Sequence, residues 1–427
     1  QAALRLLGIN TPLSPKTGLH TAAAEELIRL LPELNDTAAK WIGSKISKTS
    51  DGGGFLGTGG CDKLHNTFCV VPAESDGRVR ASWKIHGTAN GRWSCSPNMQ
   101  NLPKWIRAIY GAPPGWKLVG ADYSALELWI VAIYTAARRL LEALESADVH
   151  RQNTEGLFSL KFVDVFSEAA RTGCKDHGRI KLPLHVHLLD GDEAPEDVVF
   201  PAGHLGIIDP GKGKLQVDVA AVTCEACRTA SEKAASTAMT NLTDLRVQGK
   251  RFVYNANYEG SVATIWAKLS VEFRGLQLGE VDAMMRAWKK MCPEIGRRAR
   301  ENENLFYRRR RKEGKGYLES PILGRTRYWI GKEFGLTDAA NFPIQSASGD
   351  IVNQALIRVH RRIRLECGGY IVAQIHDQIV VEVPEDKAEL AKRILEEEMP
   401  GAYKFSGIAG TWSFPVEADI GDTLDQV

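Results

Sequence analysis

The stretch YIVAQIHDQIVVEV, from Tyr370 to Val383, contains two apolar, β-rich runs on either side of a His-Asp pair. Runs of this kind are typical of β-strands, and the short polar break predicts a tight hairpin with Asp377 at its tip. A carboxylate between two core strands is costly to remove from water unless it is paired or bound to a cation. The alternative is an ordinary turn aspartate that accepts hydrogen bonds from its own backbone.

A second carboxylate follows an apolar run in LVGADYSALELWIVA, from Leu118 to Ala132. Residues 118–121 predict a short buried strand that ends at Asp122, followed by a helix from near Ser124 towards Ser146. Asp122 could simply cap this helix. Two aspartates on adjacent strand ends are instead the ligand set for a pair of Mg²⁺ ions, which take oxygen ligands and promote phosphoryl displacement.

A third pattern repeats every four residues and joins two cations to two aromatic rings: Arg246, Lys250, Tyr254 and Tyr258. At 3.6 residues per turn these positions predict one stripe along a helix. The cations suit a triphosphate, and the rings suit stacking on a base or a sugar. A plain amphipathic surface is the alternative.

Composition indicates the general class of the protein. The 427 residues are 44% hydrophobic and 25% charged, enough for a globular core in two or three lobes. No stretch approaches the ~20 apolar residues of a membrane span, and the N-terminus lacks the pattern of a secretory signal. The eight cysteines are too sparse for a disulfide framework. We therefore expect a reduced, cytoplasmic protein with no membrane partner.

Basic residues are concentrated in one segment although the net charge is only +2. Between Arg297 and Lys315 the sequence has nine Lys or Arg against three Glu, including the run Arg308–Lys312. A solvated helix face and a contact with a phosphate backbone both explain such a run.

Further helical patterns cover the ranges 245–269, 280–311 and 351–365. Residues 152–242 show no clear pattern and are predicted to be an insertion of unknown role. Within it, Cys224 and Cys227 form a CxxC pair that is either half of a zinc site, completed by His185 or His187, or two inert thiols.

In this order, the three patterns resemble the polymerase motifs of family A DNA polymerases, the class of bacterial polymerase I and its phage and mitochondrial relatives. The similarity runs from about Trp83 to Ile420 outside the insertion. Three further stretches support it: HGTANGRWSCSPNMQNLP (His86–Pro103), LGRTRY (Leu323–Tyr328) and NFPIQSASGDI (Asn341–Ile351).

The resemblance implies an α+β, right-hand polymerase fold with an antiparallel palm sheet, helical fingers and a partial thumb. The domains implied are a partial thumb (1–75), a first palm part with Asp122 (76–151), the insertion (152–242), fingers (243–335) and a second palm part with Asp377 (336–427).

The implied activity is template-directed addition of deoxynucleoside triphosphates to a primer 3′ end. Asp122 and Asp377, with the main-chain carbonyl of Tyr123, would hold two Mg²⁺ ions. The partners implied are primer-template DNA and deoxynucleoside triphosphates in a bacterial or phage-infected cell. No processivity partner is identified, and an exonuclease domain on sequence upstream stays an open alternative.

The resemblance also assigns roles to residues around the nucleotide and the DNA. Those implied to bind the nucleotide are Glu127, His150, Arg246, Lys250, Tyr254 and Tyr258. Glu127 would exclude ribonucleotides by crowding the sugar 2′ position, and Tyr254 would favour acceptance of dideoxynucleotides. Tyr258 would stack by the templating base. Those implied to contact DNA near the primer end are Arg92, Gln345 and His376.

Several positions depart from the family pattern. Gln378 follows the His-Asp pair where the family usually has Glu, which removes one carboxylate near the metals. Glu259, Trp129 and Ala125 are also unusual. Two alternatives therefore stay open: a catalytically weak or silent DNA-binding descendant, and a single-subunit RNA polymerase. Glu127 argues against the second, and retention of both aspartates argues against the first.

Overall fold

The computed structural model describes residues 76–102, 107–146, 148–162, 164–165, 175–176, 184–188, 196–198, 216–217, 224–273, 275–330 and 333–427. The predicted partial thumb, residues 1–75, lies outside this set. The chain divides into two compact units. The first unit comprises Gln1–Glu127, Tyr317–Tyr328 and Phe342–Val427, and the second comprises Leu128–Gly316 and Trp329–Asn341.

The strands are numbered in chain order as β1 (Ser82–Lys84), β2 (Ser94–Ser96), β3 (Trp116–Tyr123), β4 (Leu184–Leu188), β5 (Glu196–Val198), β6 (Gln216–Val217), β7 (Tyr317–Glu319), β8 (Thr326–Tyr328), β9 (Tyr370–Ile375), β10 (Gln378–Pro384) and β11 (Val416–Gly421). The helices are α1 (Leu126–Thr135), α2 (Arg138–Leu144), α3 (Val149–Phe158), α4 (Glu225–Ala256), α5 (Val262–Glu272), α6 (Leu278–Met291), α7 (Pro293–Glu313), α8 (Leu336–Arg362) and α9 (Ala388–Glu398). Antiparallel sheet and helix together confirm the predicted α+β class.

The first unit is built on a four-stranded antiparallel sheet in the order β11-β3-β10-β9. The predicted hairpin is confirmed, because β9 and β10 pair and leave only His376 and Asp377 between them. On the other side of β10, Ile379 pairs with Ala121 of β3. The hairpin tip and the end of β3 are thereby brought to the same edge of the sheet.

The two central strands of this sheet, β3 and β10, are buried on both faces. On one face, Leu118 and Val380 pack with Leu102, Ile375 and Leu424. The other face is covered by α9, whose apolar residues recur at helical spacing and are buried: Ala388, Ala391, Ile394 and Leu395. Because successive strand residues point to opposite faces, Asp122 shares the face of Leu118, whereas Tyr123 points towards α9.

The second unit is largely helical, and each of three helices predicted from the sequence is divided into two helices in the structure. The helix predicted from Ser124 to Ser146 is divided into α1 and α2 at Ala136, whose φ of 55° lies in the left-handed region. The pattern at 245–269 covers the end of α4 and most of α5. The pattern at 280–311 covers α6 and α7, which are separated where Pro293 begins a new helix.

The prediction that four residues form one stripe along a helix is wrong for the fourth residue. Arg246, Lys250 and Tyr254 lie on α4, but α4 ends at Ala256, so Tyr258 lies in the turn that follows. The helix predicted at 351–365 is, by contrast, longer than expected, because α8 begins at Leu336 and contains Pro343 in its interior.

The basic run lies in the last turns of α7. The aromatic ring of Phe306, on the buried side of this helix, stacks on Phe334 with centroids 3.7 Å apart. Gly314, with φ of +72°, ends the helix. Arg308 and residues 310–312 remain exposed.

Among the described helices, none combines the length and the apolar character that crossing a bilayer requires.

Candidate active site

Asp122 lies near the end of β3, between two neighbouring strands. Glu417 of β11 is its direct partner in the sheet. On the other side, Ile379 pairs with Ala121, and Asp377 lies two residues before Ile379 at the hairpin tip. The structure therefore places the two predicted carboxylates at neighbouring strand ends, close enough for the charge of Asp377 to act on Asp122.

The electrostatic state of this pair is unusual. Partial burial raises the pKa of Asp122 to about 7, and the charges of Asp377 and Glu417 add to the rise, although the Asp122 side chain keeps access to solvent. Burial also raises the pKa of Asp377. Carboxylates that resist ionisation because they are desolvated and close together are stabilised by a cation.

The donor set at this position fits a divalent cation. Within the described residues, no group of three or more His, Cys, Asp or Glu side chains is arranged to hold a metal ion. A pair of carboxylates is nonetheless the usual protein contribution to Mg²⁺, which keeps several waters and completes its shell with substrate phosphates. Asp122 and Asp377 therefore fit a metal that arrives with a phosphate-bearing substrate.

Tyr123 is anchored through its side chain. Its buried hydroxyl donates to the carbonyl of Met399 at 2.6 Å, and burial raises its pKa. This contact joins the end of β3 to the end of α9. The role predicted for the main-chain carbonyl of Tyr123 stays a prediction.

Three predicted residues of the first unit meet at one carboxylate. Glu127 Oε1 accepts hydrogen bonds from Arg92 Nη2 at 2.5 Å and from Gln345 Nε2 at 2.8 Å. Arg92 Nη2 also donates to Ser348 Oγ at 3.0 Å. Ser348 was missed in the sequence, and its position three residues after Gln345 on α8 is the signal that could have indicated it.

His376 is held at the hairpin tip by a pair of buried amides. Its φ of 58° lies in the left-handed region, and its carbonyl accepts a hydrogen bond from Gln374 Nε2. Gln100 Nε2 in turn donates to Gln374 Oε1 at 2.9 Å. Partial desolvation lowers the pKa of His376, although the residue keeps access to solvent. Neither glutamine was predicted.

Arg107 is a further charge that the sequence did not indicate. Burial raises the pKa of Asp122 and the charge of Arg107 opposes this rise, whereas at His376 burial lowers the pKa and Arg107 adds to the fall. It therefore partly offsets the negative charge that Asp377 and Glu417 bring to this edge of the sheet.

In the second unit, the predicted cations gather at the start of α3. Asp148 caps this helix by accepting from the backbone N–H groups of His150 and Arg151, both at 2.9 Å. The same carboxylate accepts from Arg246 Nε at 2.6 Å and Nη2 at 2.9 Å. Asp148 was missed, although an acid two residues before His150 is a typical helix-capping signal.

The remaining predicted residues of α4 lie around His150. Burial, with the charges of Lys250 and Arg246, lowers the pKa of His150 to about 4. Its Nδ1 is buried and has no hydrogen-bond partner among the described residues. The Tyr254 ring is centred 6.2 Å from the imidazole. Partial desolvation and the charge of Arg246 likewise lower the pKa of Lys250, although its side chain keeps access to solvent, so the cluster favours an anionic ligand.

Comparison with known proteins gives concordant matches. A family model described as DNA polymerase family A matches residues 60–177 and 227–425. A thermostable DNA polymerase I of Thermus thermophilus is 26% identical over 371 residues, which cover 84% of this chain and 34% of the relative. DNA polymerase I of Chloroflexus aurantiacus is 25% identical over 337 residues, which cover 77% of this chain and 27% of the relative.

One solved structure has a similar fold. The POL domain of Pol1 from M. smegmatis, in complex with a DNA primer-template and dNTP, matches with a TM-score of 0.57 at 19% identity. The match covers 100% of this chain and 63% of that one.

The extent of these matches defines what the chain shares with its relatives. It covers 34% of the Thermus thermophilus protein, so it spans about a third of that relative's length. The gap in the family match, residues 178–226, lies inside the predicted insertion 152–242. The end of α3 and the first part of α4 also lie within the range predicted for the insertion. Since the family model matches most of the chain and includes every predicted site residue, the chain belongs to DNA polymerase family A.

Proposed function

We propose that the chain is a template-directed DNA polymerase that adds deoxynucleoside triphosphates to the 3′ end of a primer. The observation that carries the proposal is that Asp122 and Asp377 lie at the ends of two paired strands of an antiparallel sheet, where burial also raises the pKa of both. Family membership supports it, and the solved M. smegmatis relative holds both a primer-template and a dNTP.

The carboxylates of Asp122 and Asp377 would hold Mg²⁺, with the carbonyl of Tyr123 as a further ligand. Two bound Mg²⁺ ions supply the charge that makes the primer 3′-hydroxyl nucleophilic and stabilises the leaving pyrophosphate. With a pKa of about 7, Asp122 is partly protonated at neutral pH before the cation binds, and ligation requires loss of that proton. Cation affinity should therefore rise with pH through this range.

The cluster of the second unit would bind the triphosphate. Arg246 and Lys250 supply positive charge, and Asp148 fixes the orientation of the Arg246 guanidinium. His150 is neutral at physiological pH, so it can hydrogen-bond a phosphate oxygen without adding charge. Tyr254 would pack on the sugar, which Glu127 limits to the deoxy form.

The DNA would be recognised mainly without regard to sequence. Arg92 and Gln345 can donate to the acceptors of the minor groove, whose positions are nearly the same for every base pair. His376 would lie by the primer terminus and Tyr258 by the templating base. The exposed basic run, Arg308–Lys312, would contact the phosphate backbone. We expect the protein to act in the cytoplasm of a bacterial or phage-infected cell.

Primer extension tests this proposal directly. We expect Mg²⁺-dependent extension that falls by about 10³-fold or more in Asp122→Asn and in Asp377→Asn, because metal-ion catalysis contributes several kcal/mol to the barrier. Asp386→Asn removes a carboxylate that is 74% exposed just after β10 and serves as the matched control. Full extension by either site variant would refute the mechanism.

Two further measurements in the same assay separate the alternatives. Equal incorporation of ribonucleotides and deoxynucleotides would favour an RNA polymerase. DNA binding by the wild-type protein without any extension would favour a silent descendant.

A further inference from the structure

The backbone just before Arg92 lies directly on the side chain of Arg325. Gly91 has a φ of +80°, and a Cβ built on it would overlap the Nη1 and Cζ atoms of Arg325. The Gly91 N–H donates to the carbonyl of Thr88 at 3.0 Å, which closes a tight turn at this position. The guanidinium therefore occupies the space that any side chain at position 91 would need.

Arg325 is itself fixed by a buried carboxylate. Its Nη2 lies 2.5 Å from Oδ1 of Asp350, whose side chain is 1% exposed. The other oxygen of Asp350 accepts from Ser320 Oγ and from the Leu323 N–H at 3.3 Å. A buried carboxylate needs such compensation, and these contacts link α8 to the β7–β8 hairpin.

The same helix also holds the Arg92 side chain. Ser348 accepts a hydrogen bond from Arg92 Nη2. Gln345, one turn earlier on α8, donates to the same Glu127 oxygen that Arg92 contacts. A Cβ on Gly349 would lie 3.5 Å from Arg92 Cγ, so α8 approaches this side chain closely. Arg92 is thus held at its guanidinium by Glu127 and Ser348, and the Arg325 guanidinium packs against the residue just before it, Gly91.

We propose that Asp350 and Arg325 are a positioning pair for Arg92, and that they set how strictly a correctly paired primer end is distinguished from a mismatched one. The inference rests on the proposed function, since Arg92 would contact the minor groove there. An arginine guanidinium distinguishes the acceptors of a correct base pair from displaced ones only when its orientation is fixed. A mobile guanidinium can reorient and hydrogen-bond a displaced acceptor equally well. Neither residue of the pair needs to touch the DNA for this effect.

A kinetic double-mutant cycle tests the pair. Arg325→Lys keeps the charge but removes the planar fork, and Arg92→Ala removes the group it is proposed to position. The measured quantity is kcat/KM for the next correct nucleotide on a matched and on a mismatched primer end. We expect Arg325→Lys to reduce the matched-to-mismatched ratio roughly tenfold, the loss typical of one charge-assisted hydrogen bond.

The energetic coupling between Arg325 and Arg92 shows whether Arg325 acts through Arg92. If Arg325 acts through Arg92, Arg325→Lys should change the ratio by less than about twofold once Arg92 is alanine. Equal effects in both backgrounds would overturn the proposal. Asp350→Asn should give the same pattern as Arg325→Lys. Thermal unfolding of each variant shows whether the chain remains folded.

A matched control lies on the same helix. Arg362 forms ion pairs with Glu366, Glu397 and Glu398 at the far end of α8, so Arg362→Lys weakens a comparable set of contacts that does not reach Arg92. We expect it to leave the ratio unchanged, and an equal loss would overturn the specific role of Arg325. A wild-type protein that extends no primer would instead refute the proposed function.

Discussion

Replacing Gly91 by alanine tests the packing of Arg325 against the turn before Arg92. The substitution has two physical consequences. It places a Cβ on a backbone with φ of +80°, and it brings that Cβ into overlap with the Arg325 guanidinium. Gly115 offers a matched control in the same unit, because its φ is +81° and no heavy atom of the described residues lies within 4 Å of a Cβ there.

The expected magnitudes follow from these two terms. A left-handed backbone costs alanine about 1–2 kcal/mol at either position. Arg325 is long and flexible, but it can move aside only by leaving Asp350, and an unpaired buried carboxylate costs about 1–3 kcal/mol more. Gly91→Ala should therefore lower the free energy of unfolding by about 2–5 kcal/mol, against about 1–2 kcal/mol for Gly115→Ala.

Urea denaturation of the two variants measures this difference. A third measurement, Gly91→Ala in an Arg325→Ala background, removes the overlapping group and should reduce the cost of the alanine to that of the control. The reasoning is refuted if Gly91→Ala is no more destabilising than Gly115→Ala, or if its cost is unchanged when Arg325 is absent.

Three other predictions concern pH, salt and the nucleotide sugar. The pKa of His150 is about 4 in the folded protein and about 6.5 in the unfolded chain. The neutral His150 side chain therefore contributes about 3 kcal/mol to the free energy of unfolding above pH 6.5, and this contribution is lost as the pH falls towards 4. His150→Gln should flatten unfolding titrations in that window, and an unchanged slope would contradict the prediction. Replacing the exposed cations Arg308, Arg310, Arg311 and Lys312 by glutamine should reduce the slope of log K against log salt for DNA binding by ~3–4, and an unaltered slope in fluorescence anisotropy would exclude phosphate contacts there. Tyr254→Phe should lower the incorporation of dideoxynucleotides relative to deoxynucleotides. Primer extension with the two nucleotides in competition measures this ratio, and an unchanged or higher ratio would contradict the prediction.

The parts of the fold that sequence predicts well depend on short-range patterns. The hairpin at 370–383 follows from two apolar runs and the two residues between them, and the strand before Asp122 follows from four consecutive apolar or small residues. In the sheet, β9 lies at the edge, whereas β3 and β10 are central and buried on both faces, so the hydrophobic runs of these two strands stay almost continuous. Local composition therefore identifies them without knowledge of their partners.

Helix ends were predicted less well because tertiary packing overrides local preference. Ala136 adopts a φ of 55° between α1 and α2, although alanine is the strongest helix former. Pro343 lies inside α8, where its missing N–H and its ring normally disfavour a helix. Glu259, at a φ of 53°, ends the turn after α4 without a glycine. At each position the packed environment holds a conformation that the residue alone would not choose.

Much of the candidate site also depends on contacts between residues distant in sequence. Arg246 was predicted from its spacing, but its bidentate partner Asp148 precedes it by 98 residues. Arg92 and Ser348 are separated by 256 residues. Sequence patterns indicate which residue types suit a phosphate or a metal. The partner that fixes the direction of each side chain follows only from the fold.

The departure at Gln378 has a different meaning once the sheet is known. From sequence, a glutamine after the His-Asp pair removes a carboxylate and is expected to weaken the site. In the structure, Glu417 lies directly opposite Asp122 on β11, and Gln378 lies on the other side, with its Nε2 next to Gly120 on β3. Asp122 already has a pKa of about 7, so a further acid at 378 would raise it again and make protons stronger competitors of a cation. Glutamine at this position therefore adds no further repulsion to the negative charge that Glu417 already brings next to Asp122.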